Sequence, residues 1–206
     1  ADEIVAVEVA APKGQTKRVE TDEGPRSDTT LDALGRLRPS FPPGDRVTPG
    51  NASQISDGAA AVIVMSGERA GQLGAEPLAR ITGYAHAANE PGMIFDAPRL
   101  AVARLLKRTG ERLDDFDIIE VNEAFAAQVL ANGKALGWDW SRVNPHGGAI
   151  ALGHPIGASG ARLVVTLIYG LRKTLGPTAG SGRPKKGMAV ICHAGGGAVA
   201  MSVEAV

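Results

Sequence analysis

Three residues of this 206-residue chain have side chains that could do chemistry in unusual surroundings: Asn122, His154 and Cys192. An imidazole can act as a base or a hydrogen-bond donor near neutral pH, and a thiol can be tuned to carry a proton or attack a carbonyl. An amide can both donate and accept hydrogen bonds. Acid–base and nucleophilic chemistry are therefore available, if the fold brings the three together.

His154 lies in "GGAIALGHPIGASGAR" (residues 147–162), which holds five glycines and continues into an apolar helical pattern. Glycines are kept where the backbone needs positive φ or where a ligand approaches closely. The N–H groups at the start of the following helix are donors for negative charge. Two interpretations stay open for the ring: a structural histidine bonded to loop backbone, or a functional base or donor.

Asn122 lies in "IIEVNEAFAAQ", between a predicted strand over 116–121 and a predicted helix over 123–136. Ligands bind at the carboxyl ends of strands in open α/β sheets, which favours a site here. Asparagine is also a common helix N-cap. The spacing gives these two interpretations equal weight.

Cys192 lies in "AVICHAGGGAVAM", at the end of a predicted strand over 188–193 and before a glycine-rich turn. A buried cysteine is most often an inert small hydrophobe, whereas one beside flexible backbone donors can be a tuned thiol. It is the only cysteine in the sequence, which excludes an internal disulfide framework and a multi-cysteine metal site.

Strand and helix patterns alternate from residue 77 onward and predict a layered α/β domain with a largely buried sheet. The predicted strands cover 79–86, 116–121, 188–193 and 198–204, and the predicted helices cover 98–109, 123–136 and 158–175. A flexible basic loop is expected over 175–187, in "LGPTAGSGRPKKG".

The chain before residue 77 is more irregular. We predict a strand in "DEIVAVEVA", a loop-rich stretch over 12–45 with one short helix capped by Thr30, a buried strand over 59–65 and a short helix ending at Gly74. One buried strand and one short helix cannot close a core. They look like the closing piece of a larger structure.

The composition narrows the classes of partner. Lys plus Arg and Asp plus Glu number 22 each, so net charge gives no attraction to nucleic acid or to an anionic membrane. The longest apolar run, over 59–65, is far shorter than a membrane span, and no signal-peptide pattern is present. We expect no nucleic-acid or membrane partner and a reducing cytoplasm.

Three blocks of this sequence resemble the carboxyl-terminal signatures of the thiolases: "NEAFA" at 122–126, "GGAIALGHPIGASGAR" at 147–162 and "CHAGGG" at 192–197. Further blocks, "DEGPR" (22–26), "LRPSF" (37–41) and "VTPGNASQISDGAAAV" (47–62), resemble the middle of the family in the same order. The resemblance implies an α/β, layered thiolase-type fold. Residues 77–206 would be the complete carboxyl-terminal domain, 1–54 the remainder of the loop domain, and 55–76 the last strand and helix of an otherwise absent amino-terminal domain.

The activity implied by the resemblance is acyl transfer between coenzyme A thioesters: thiolysis of a 3-ketoacyl-CoA, or the reverse Claisen condensation, as in fatty acid metabolism. Thiolases carry their nucleophilic cysteine in the amino-terminal half, and Cys192 matches the second, carboxyl-terminal one. The implied partners are a chain with the amino-terminal half and further copies in a homo- or hetero-oligomer. Coenzyme A is expected as a substrate, and no cofactor or metal is expected.

The same resemblance assigns catalytic roles to four residues. His154 would activate the nucleophile and donate to the thioester oxygen, and Asn122 would hold a water in that oxyanion site. Cys192 would move a proton at the acetyl α-carbon, and the backbone N–H of Ala194 would donate to a second oxyanion. The family usually has glycine where Ala194 stands.

For substrate binding, Arg26 would lie near the nucleotide of coenzyme A and Ser53 near the pantetheine amides. Phe125 would wall the acyl pocket, with Met93 also lining it. "PGMIFDAP" lacks the glycine that usually follows this methionine, and the loop over 176–187 is longer than in the family.

Three hypotheses for function remain at this stage. The chain is half of a working thiolase with a separate partner, an inactive fragment, or a non-catalytic module for coenzyme A binding or assembly. A second chain carrying the nucleophilic cysteine would distinguish the first from the others.

Overall fold

A computed structural model describes residues 2–175 and 183–206, with side chains described up to residue 173 and again from 183. The predicted basic loop and its extra length lie largely outside the described residues. The amino-terminal part is open: strands β1 (Val7–Ala11) and β2 (Gln15–Val19) form an antiparallel hairpin. Helix α1 (Leu31–Gly35) follows, capped by Thr30 as predicted, and α2 (Gly67–Leu73) ends at the left-handed Gly74.

A four-stranded mixed sheet forms the centre of the carboxyl-terminal domain. Its strands are β3 (Ala79–Ala88), β4 (Ile118–Val121), β5 (Lys186–His193) and β6 (Gly197–Ala205), in the order β3–β6–β5–β4. β4 and β5 are parallel, so their carboxyl ends lie at the same edge, and β6 is antiparallel to β5 and β3.

Helices cover both faces of this sheet, which confirms the predicted layered α/β arrangement. They are α3 (Ala97–Thr109), α4 (Ala126–Leu136), the single turn α5 (Ala149–Leu152) and α6 (Ser159–Leu175). α3 begins with Pro98 in its first turn and ends at the left-handed Gly110, the usual signals for start and stop.

The alternation of β5 divides the core into two clusters. Met188 and Val190 face the cluster formed with α3 and α4, whereas Ala189 faces the cluster under α6. On α6, the buried leucines recur every four residues at Leu163, Leu167 and Leu171, which places one stripe of the helix on the sheet. α6 runs back from the carboxyl ends of the strands, so its first turn lies at that edge.

The predicted buried strand over 59–65 is wrong for this structure. Residues 55–66 form no strand, and Ile63 and Val64 are 89% and 68% exposed. A strand needs a neighbour to pair with, and an apolar one needs a surface to cover it. The described residues provide neither for this segment.

Two other elements differ from expectation. The hairpin strand β2 falls inside the stretch predicted to be loop-rich, although "PKG" between alternating residues is a turn signal. Helix α4 begins at Ala126 and not at residue 123, with Phe125 as its N-cap. Residues 122–125 therefore lie outside the helix.

Candidate active site

Asn122 stands directly after β4 and is buried. Its backbone N–H donates to the carbonyl of Val190 on β5 (2.9 Å), which fixes it beside the end of that strand. It does not cap α4. Instead its side-chain Nδ2 lies 3.2 Å from Nε2 of His154. Of the two interpretations of the sequence, the structure supports the side chain in a site at the strand end.

His154 lies in the connection between α5 and α6. Its backbone N–H donates to the carbonyl of Gln54 (3.1 Å), and it follows Gly153, whose φ of 96° is a conformation that glycine adopts readily. The ring Nδ1 is 2.6 Å from Oγ of Ser159, and the Ser159 hydroxyl donates to the carbonyl of Pro155 (3.0 Å).

These contacts assign the proton on the neutral ring. The single hydrogen of Ser159 is used on Pro155, so Ser159 Oγ accepts from a protonated Nδ1 of His154. Nε2 is then unprotonated, and its lone pair accepts a hydrogen bond from Asn122 Nδ2. A general base requires such an unprotonated nitrogen, with the hydrogen bond from Asn122 given up when Nε2 takes a proton.

The electrostatics keep this ring neutral. Burial is the larger effect that lowers the pKa of His154, and the positive charge of Arg162 lowers it further. A lowered pKa leaves the imidazole unprotonated at neutral pH, so it is available to accept a proton.

Cys192 is half-buried near the end of β5, where it pairs with Ala198 on β6 and packs against the cluster under α3. Burial raises the pKa of its thiol. A neutral thiol keeps its proton at rest and can donate it to a base or to a substrate carbanion. Ala194 follows in an exposed turn whose Gly195 and Gly196 both have φ of 83°.

Glu123 holds the glycine loop against β4, a role that the sequence analysis missed. Its carboxylate accepts from Nδ2 of Asn144 (2.8 Å) and from the backbone N–H of Ile150 (3.1 Å) in the first turn of α5. A Cβ on Gly148 would collide with this carboxylate. The sequence motifs could have indicated this contact, because Glu123 lies in "NEAFA" and Gly148 lies in "GGAIALGHPIGASGAR".

Asn144 ties the same region to the strand. Its side chain exchanges two hydrogen bonds with the backbone of Val121, at 2.8 and 2.9 Å, one residue before Asn122. Asn144 adopts φ of 45°, a conformation that asparagine tolerates better than most residues. Nothing in the local sequence pattern distinguished it.

Two upstream segments support the loop that carries His154. Gln54 Nε2 lies 3.3 Å from the carbonyl oxygens of Gly24, Ile150 and Ala151, and its two hydrogens are shared among them. Ser53 is half-buried, and its N–H donates to the carbonyl of Ala124 (3.0 Å) beside Asn122. Arg26 follows the Gly24 contact by two residues and is exposed.

The predicted acyl-pocket residues lie on one side of this edge. Phe125 packs edge-on against Phe95, with ring centres 5.3 Å apart, and Met93 is exposed in the short helical segment Pro91–Asp96 that also carries Phe95. Phe95 was not singled out from the sequence. Its contact with Phe125 places the Met93 segment next to the "NEAFA" block.

A buried carboxylate lies beneath the site. Glu120 on β4 is fully buried, and its oxygen lies 3.8 Å from Nη1 of Arg162 in the first turns of α6. Burial raises the pKa of Glu120 to about 8, against the opposing effect of Arg162. This pair joins β4, which carries Asn122, to the helix that begins with Ser159.

The described residues contain no group of three or more His, Cys, Asp or Glu side chains that could hold a metal ion. Within the same residues, no helix is long and apolar enough to cross a membrane.

Comparison with protein-family models gives two matches. The model "Thiolase, C-terminal domain" matches residues 75–205, and "Thiolase, N-terminal domain" matches residues 1–68. Together they account for almost the whole chain.

Curated relatives agree with these matches. The chain is 46% identical over 203 residues to the acetyl-CoA acetyltransferase of Allochromatium vinosum, covering 98% of this chain and 50% of the relative. It is 48% identical to the acetyl-CoA acetyltransferase of Pseudomonas aeruginosa, covering 98% and 49%. The chain thus spans about half the length of the curated relatives it matches.

Solved structures show the same fold. The acetyl-CoA acetyltransferase of Bacillus anthracis superposes with a TM-score of 0.91 at 40% identity, covering all of this chain and 50% of the other. Human mitochondrial 3-ketoacyl-CoA thiolase in complex with CoA gives a TM-score of 0.86 at 38% identity, covering 97% and 48%.

Proposed function

This chain belongs to the thiolase family, and we propose that it acts as the carboxyl-terminal half of a thiolase. The reaction is thiolysis of a 3-ketoacyl-CoA by coenzyme A to acyl-CoA and acetyl-CoA, or the reverse condensation. The observation that carries the proposal is the hydrogen-bonded triplet Asn122–His154–Ser159, in which the half-buried His154 keeps an unprotonated Nε2 at the carboxyl edge of the sheet.

In acyl transfer, His154 removes the proton from the nucleophilic cysteine of the other half. The thiolate attacks the thioester carbonyl, and the oxygen gains the negative charge. His154, now protonated on Nε2, donates to that oxygen and returns the proton to the nucleophilic cysteine when that cysteine is displaced. Asn122 completes this oxyanion site through a water. Each such donor is worth about 10²–10³ in rate.

In carbon–carbon bond formation, Cys192 works as the acid/base. In thiolysis its thiol gives a proton to the departing acetyl α-carbanion, and the resulting thiolate takes the proton of the incoming coenzyme A thiol. In condensation the same steps run in reverse: the departing coenzyme A thiolate takes the Cys192 proton, the Cys192 thiolate then takes a proton from the acetyl α-carbon, and the carbanion attacks the acyl–cysteine carbonyl and displaces the nucleophilic cysteine. The Ala194 N–H supports the oxyanion of this step. A thiol has a pKa closer to neutral than a hydroxyl, which favours Cys192 for the transfer.

The substrate contacts proposed are Arg26 near the nucleotide of coenzyme A, Ser53 near the pantetheine amides, and Phe125 with Met93 around the acyl group. Coenzyme A enters as a substrate, and the chemistry described needs no further cofactor. A cytoplasmic location and assembly into an oligomer belong to the same proposal.

The domain assignment is part of this proposal. Residues 1–54 form the remainder of the loop domain. Residues 55–76 belong to the amino-terminal domain, whose other half would supply the neighbouring strand that residues 59–65 lack in this chain. Residues 77–206 form the carboxyl-terminal domain. The amino-terminal half supplies the nucleophile, because Cys192 is the only cysteine of this chain.

Reconstitution tests this proposal. The chain mixed with an amino-terminal thiolase half should cleave acetoacetyl-CoA or a longer 3-ketoacyl-CoA when coenzyme A is added. Turnover by this chain alone would contradict the mechanism. Binding of coenzyme A without turnover in the mixture would instead favour the binding module, and neither binding nor turnover would favour the inactive fragment.

Two variants separate the two steps. Cys192→Ser should abolish most thiolysis and condensation yet leave much of the acyl transfer from an acyl-CoA onto the other half's cysteine, because that transfer needs only the nucleophile, His154 and an oxyanion site. His154→Ala should suppress both steps. Mass spectrometry of the acylated protein, beside steady-state thiolysis, measures each. A productive acyl group found on Cys192 itself would overturn the assignment.

A further inference from the structure

Two histidines face each other beside the turn that follows Cys192. Nε2 of His86 on β3 lies 3.0 Å from Nε2 of His193, the last residue of β5, and the ring planes differ by only 10°. The ring centres are 5.2 Å apart, which exceeds the Nε2–Nε2 distance by about one ring diameter. The two nitrogens therefore lie near the line between the ring centres.

This head-to-head geometry fits a hydrogen bond and not a shared metal ion. Lone pairs on the two Nε2 atoms point at each other in this arrangement, whereas two ligands of one metal must converge on a third point. One Nε2 must therefore be protonated and the other must accept.

The protonation follows from a second contact. Nδ1 of His193 lies 2.9 Å from the carbonyl oxygen of Ala194. A carbonyl can only accept, so Nδ1 of His193 carries a proton and donates it. In the neutral ring, Nε2 of His193 is then the acceptor, and Nε2–H of His86 is the donor. A directed chain of hydrogen bonds runs from His86 through His193 to the backbone of Ala194.

The sheet has space for these two hydrogen-bonded rings because one strand residue between them has no side chain. His193 pairs with Gly197 on β6, and Gly197 pairs in turn with Ala88 on β3. A Cβ on Gly197 would collide with the imidazole of His193. The ring can cross β6 to reach His86 because this position has no side chain.

The end of β3 holds the same turn by its backbone. The N–H of Asn89 donates to the carbonyl of Gly196 (2.9 Å), and a Cβ on Gly196 would collide with the carbonyl oxygen of Asn89. Arg104 on α3 donates to the carbonyl of His86 (3.0 Å), which fixes the backbone of His86, the first donor in the series of hydrogen bonds. The turn 194–196 is thus held on both sides from residues 86–89.

We propose that His86 is a positioning residue: acting through His193, it holds the carbonyl of Ala194 and so restrains the backbone between His193 and that carbonyl, which includes the Ala194 N–H next to Cys192. This inference rests on the proposed function for its catalytic consequence, since Ala194 N–H is the donor of the second oxyanion there. The hydrogen bonds themselves do not depend on the proposed function. The need is specific, because Gly195 and Gly196 give the turn backbone freedom that another constraint must remove.

Nitrogen NMR of the assembled enzyme tests the hydrogen bonds without any catalysis. The chain has four histidines, so ¹⁵N-histidine labelling of this chain alone gives a spectrum that magic-angle-spinning NMR resolves. We expect His193 protonated on Nδ1 only and His86 protonated on Nε2. In His86→Phe, the Nε2 signal of His193 should shift. The amide signal of Ala194 should shift too, and a second sample with carbonyl-¹³C histidine and ¹⁵N alanine selects it, because His193–Ala194 is then the only His–Ala pair of the chain. A His193 protonated on Nε2, or an Ala194 amide signal unchanged in His86→Phe, would overturn the proposal.

Kinetics tests the consequence. His86→Phe should lower kcat of thiolysis about ten- to a hundredfold with KM for coenzyme A unchanged, in line with the cost of misplacing a catalytic group. His86→Gln can still donate an N–H and should recover most of the rate. An unaltered kcat in His86→Phe would refute the positioning role. If the unmodified enzyme has no thiolase activity, the proposed function fails, and the histidine and amide signals still decide whether His86 positions the turn.

Discussion

At the scale of single residues, the candidate site depends on which nitrogen of His154 carries the proton. Ser159 decides this, because its hydroxyl donates to Pro155 and leaves its oxygen to accept from Nδ1 of His154. Ser159→Ala should lower kcat/KM about tenfold, the cost of one lost hydrogen bond of about 1.4 kcal/mol, by allowing the other tautomer.

Steady-state thiolysis measures this change, and the exposed Ser141 provides a matched control because its hydroxyl contacts only Asp139 among the described contacts. Ser141→Ala should leave kcat/KM unchanged. Equal rates for Ser159→Ala and the unmodified enzyme would show that the tautomer is set elsewhere.

Glu120 makes a prediction about pH. The folded chain raises the pKa of this carboxyl to about 8, mainly by burial, so the folded state holds a proton that the unfolded state has lost above its ordinary pKa. The stability from this proton is complete below the unfolded pKa and is lost as pH rises through about 8. Between the two values the slope is at most about 1.4 kcal/mol per pH unit.

Urea unfolding of the assembled enzyme at one fixed concentration, between pH 5 and 9 and followed by tryptophan fluorescence, measures that slope. Glu120→Gln keeps the shape, removes the titration and should flatten the profile, whereas Glu8→Gln in the exposed strand β1 should not. A slope that persists in Glu120→Gln would assign the effect to other groups.

At the scale of elements, the glycine loop is placed by a contact between two motifs. Gly148 leaves the space that the Glu123 carboxylate needs to reach the N–H of Ile150. Gly148→Ala should push this carboxylate away, reduce the free energy of unfolding by about 1–3 kcal/mol and displace His154. Gly157→Ala in the same loop is the control, since a Cβ there meets nothing within 4 Å.

Thermal unfolding and kcat measured together test this. Loss of both in Gly148→Ala, with neither lost in Gly157→Ala, is the expected pattern. Two variants that behave alike would mean that Glu123 does not position the loop.

The elements also show what sequence could and could not predict. Periodicity located α3, α6 and the strands β3 to β6, because each buries a stripe or a face of its own residues. It failed for residues 59–65, where an apolar run depends on neighbours that the described chain does not provide.

The residues singled out at the site were those in dense motifs, Asn122, His154 and Cys192. Their supports were missed, since Ser159 acts on a ring five residues away in an irregular loop, and Asn144 acts on the backbone of a strand residue 23 residues away. No periodic pattern marks such contacts. The pairing of His86 with His193, 107 residues apart, is the extreme case.

At the scale of the whole molecule, residues 55–73 form an exposed apolar surface. Ile55 is fully exposed, Ile63 is 89% exposed, and Val64 and Leu73 are more than half exposed. Exposed apolar side chains in such density mark a surface that another body covers. Under the proposed function that body is the amino-terminal half, and the lone chain should therefore self-associate or lack a cooperative monomeric transition.

Ile63→Glu tests this surface directly. A charge at its centre should raise the monomeric fraction of the lone chain in analytical ultracentrifugation. The same charge should weaken assembly with the amino-terminal half at least tenfold, because buried apolar anchors dominate interface energies. Leu31→Glu, at an equally exposed leucine in the first turn of α1, is the control and should change neither. A monomeric lone chain with one cooperative transition, or normal assembly of Ile63→Glu, would show that this apolar surface does not need a partner, and the activity would then have to arise without the amino-terminal half packed against residues 55–73.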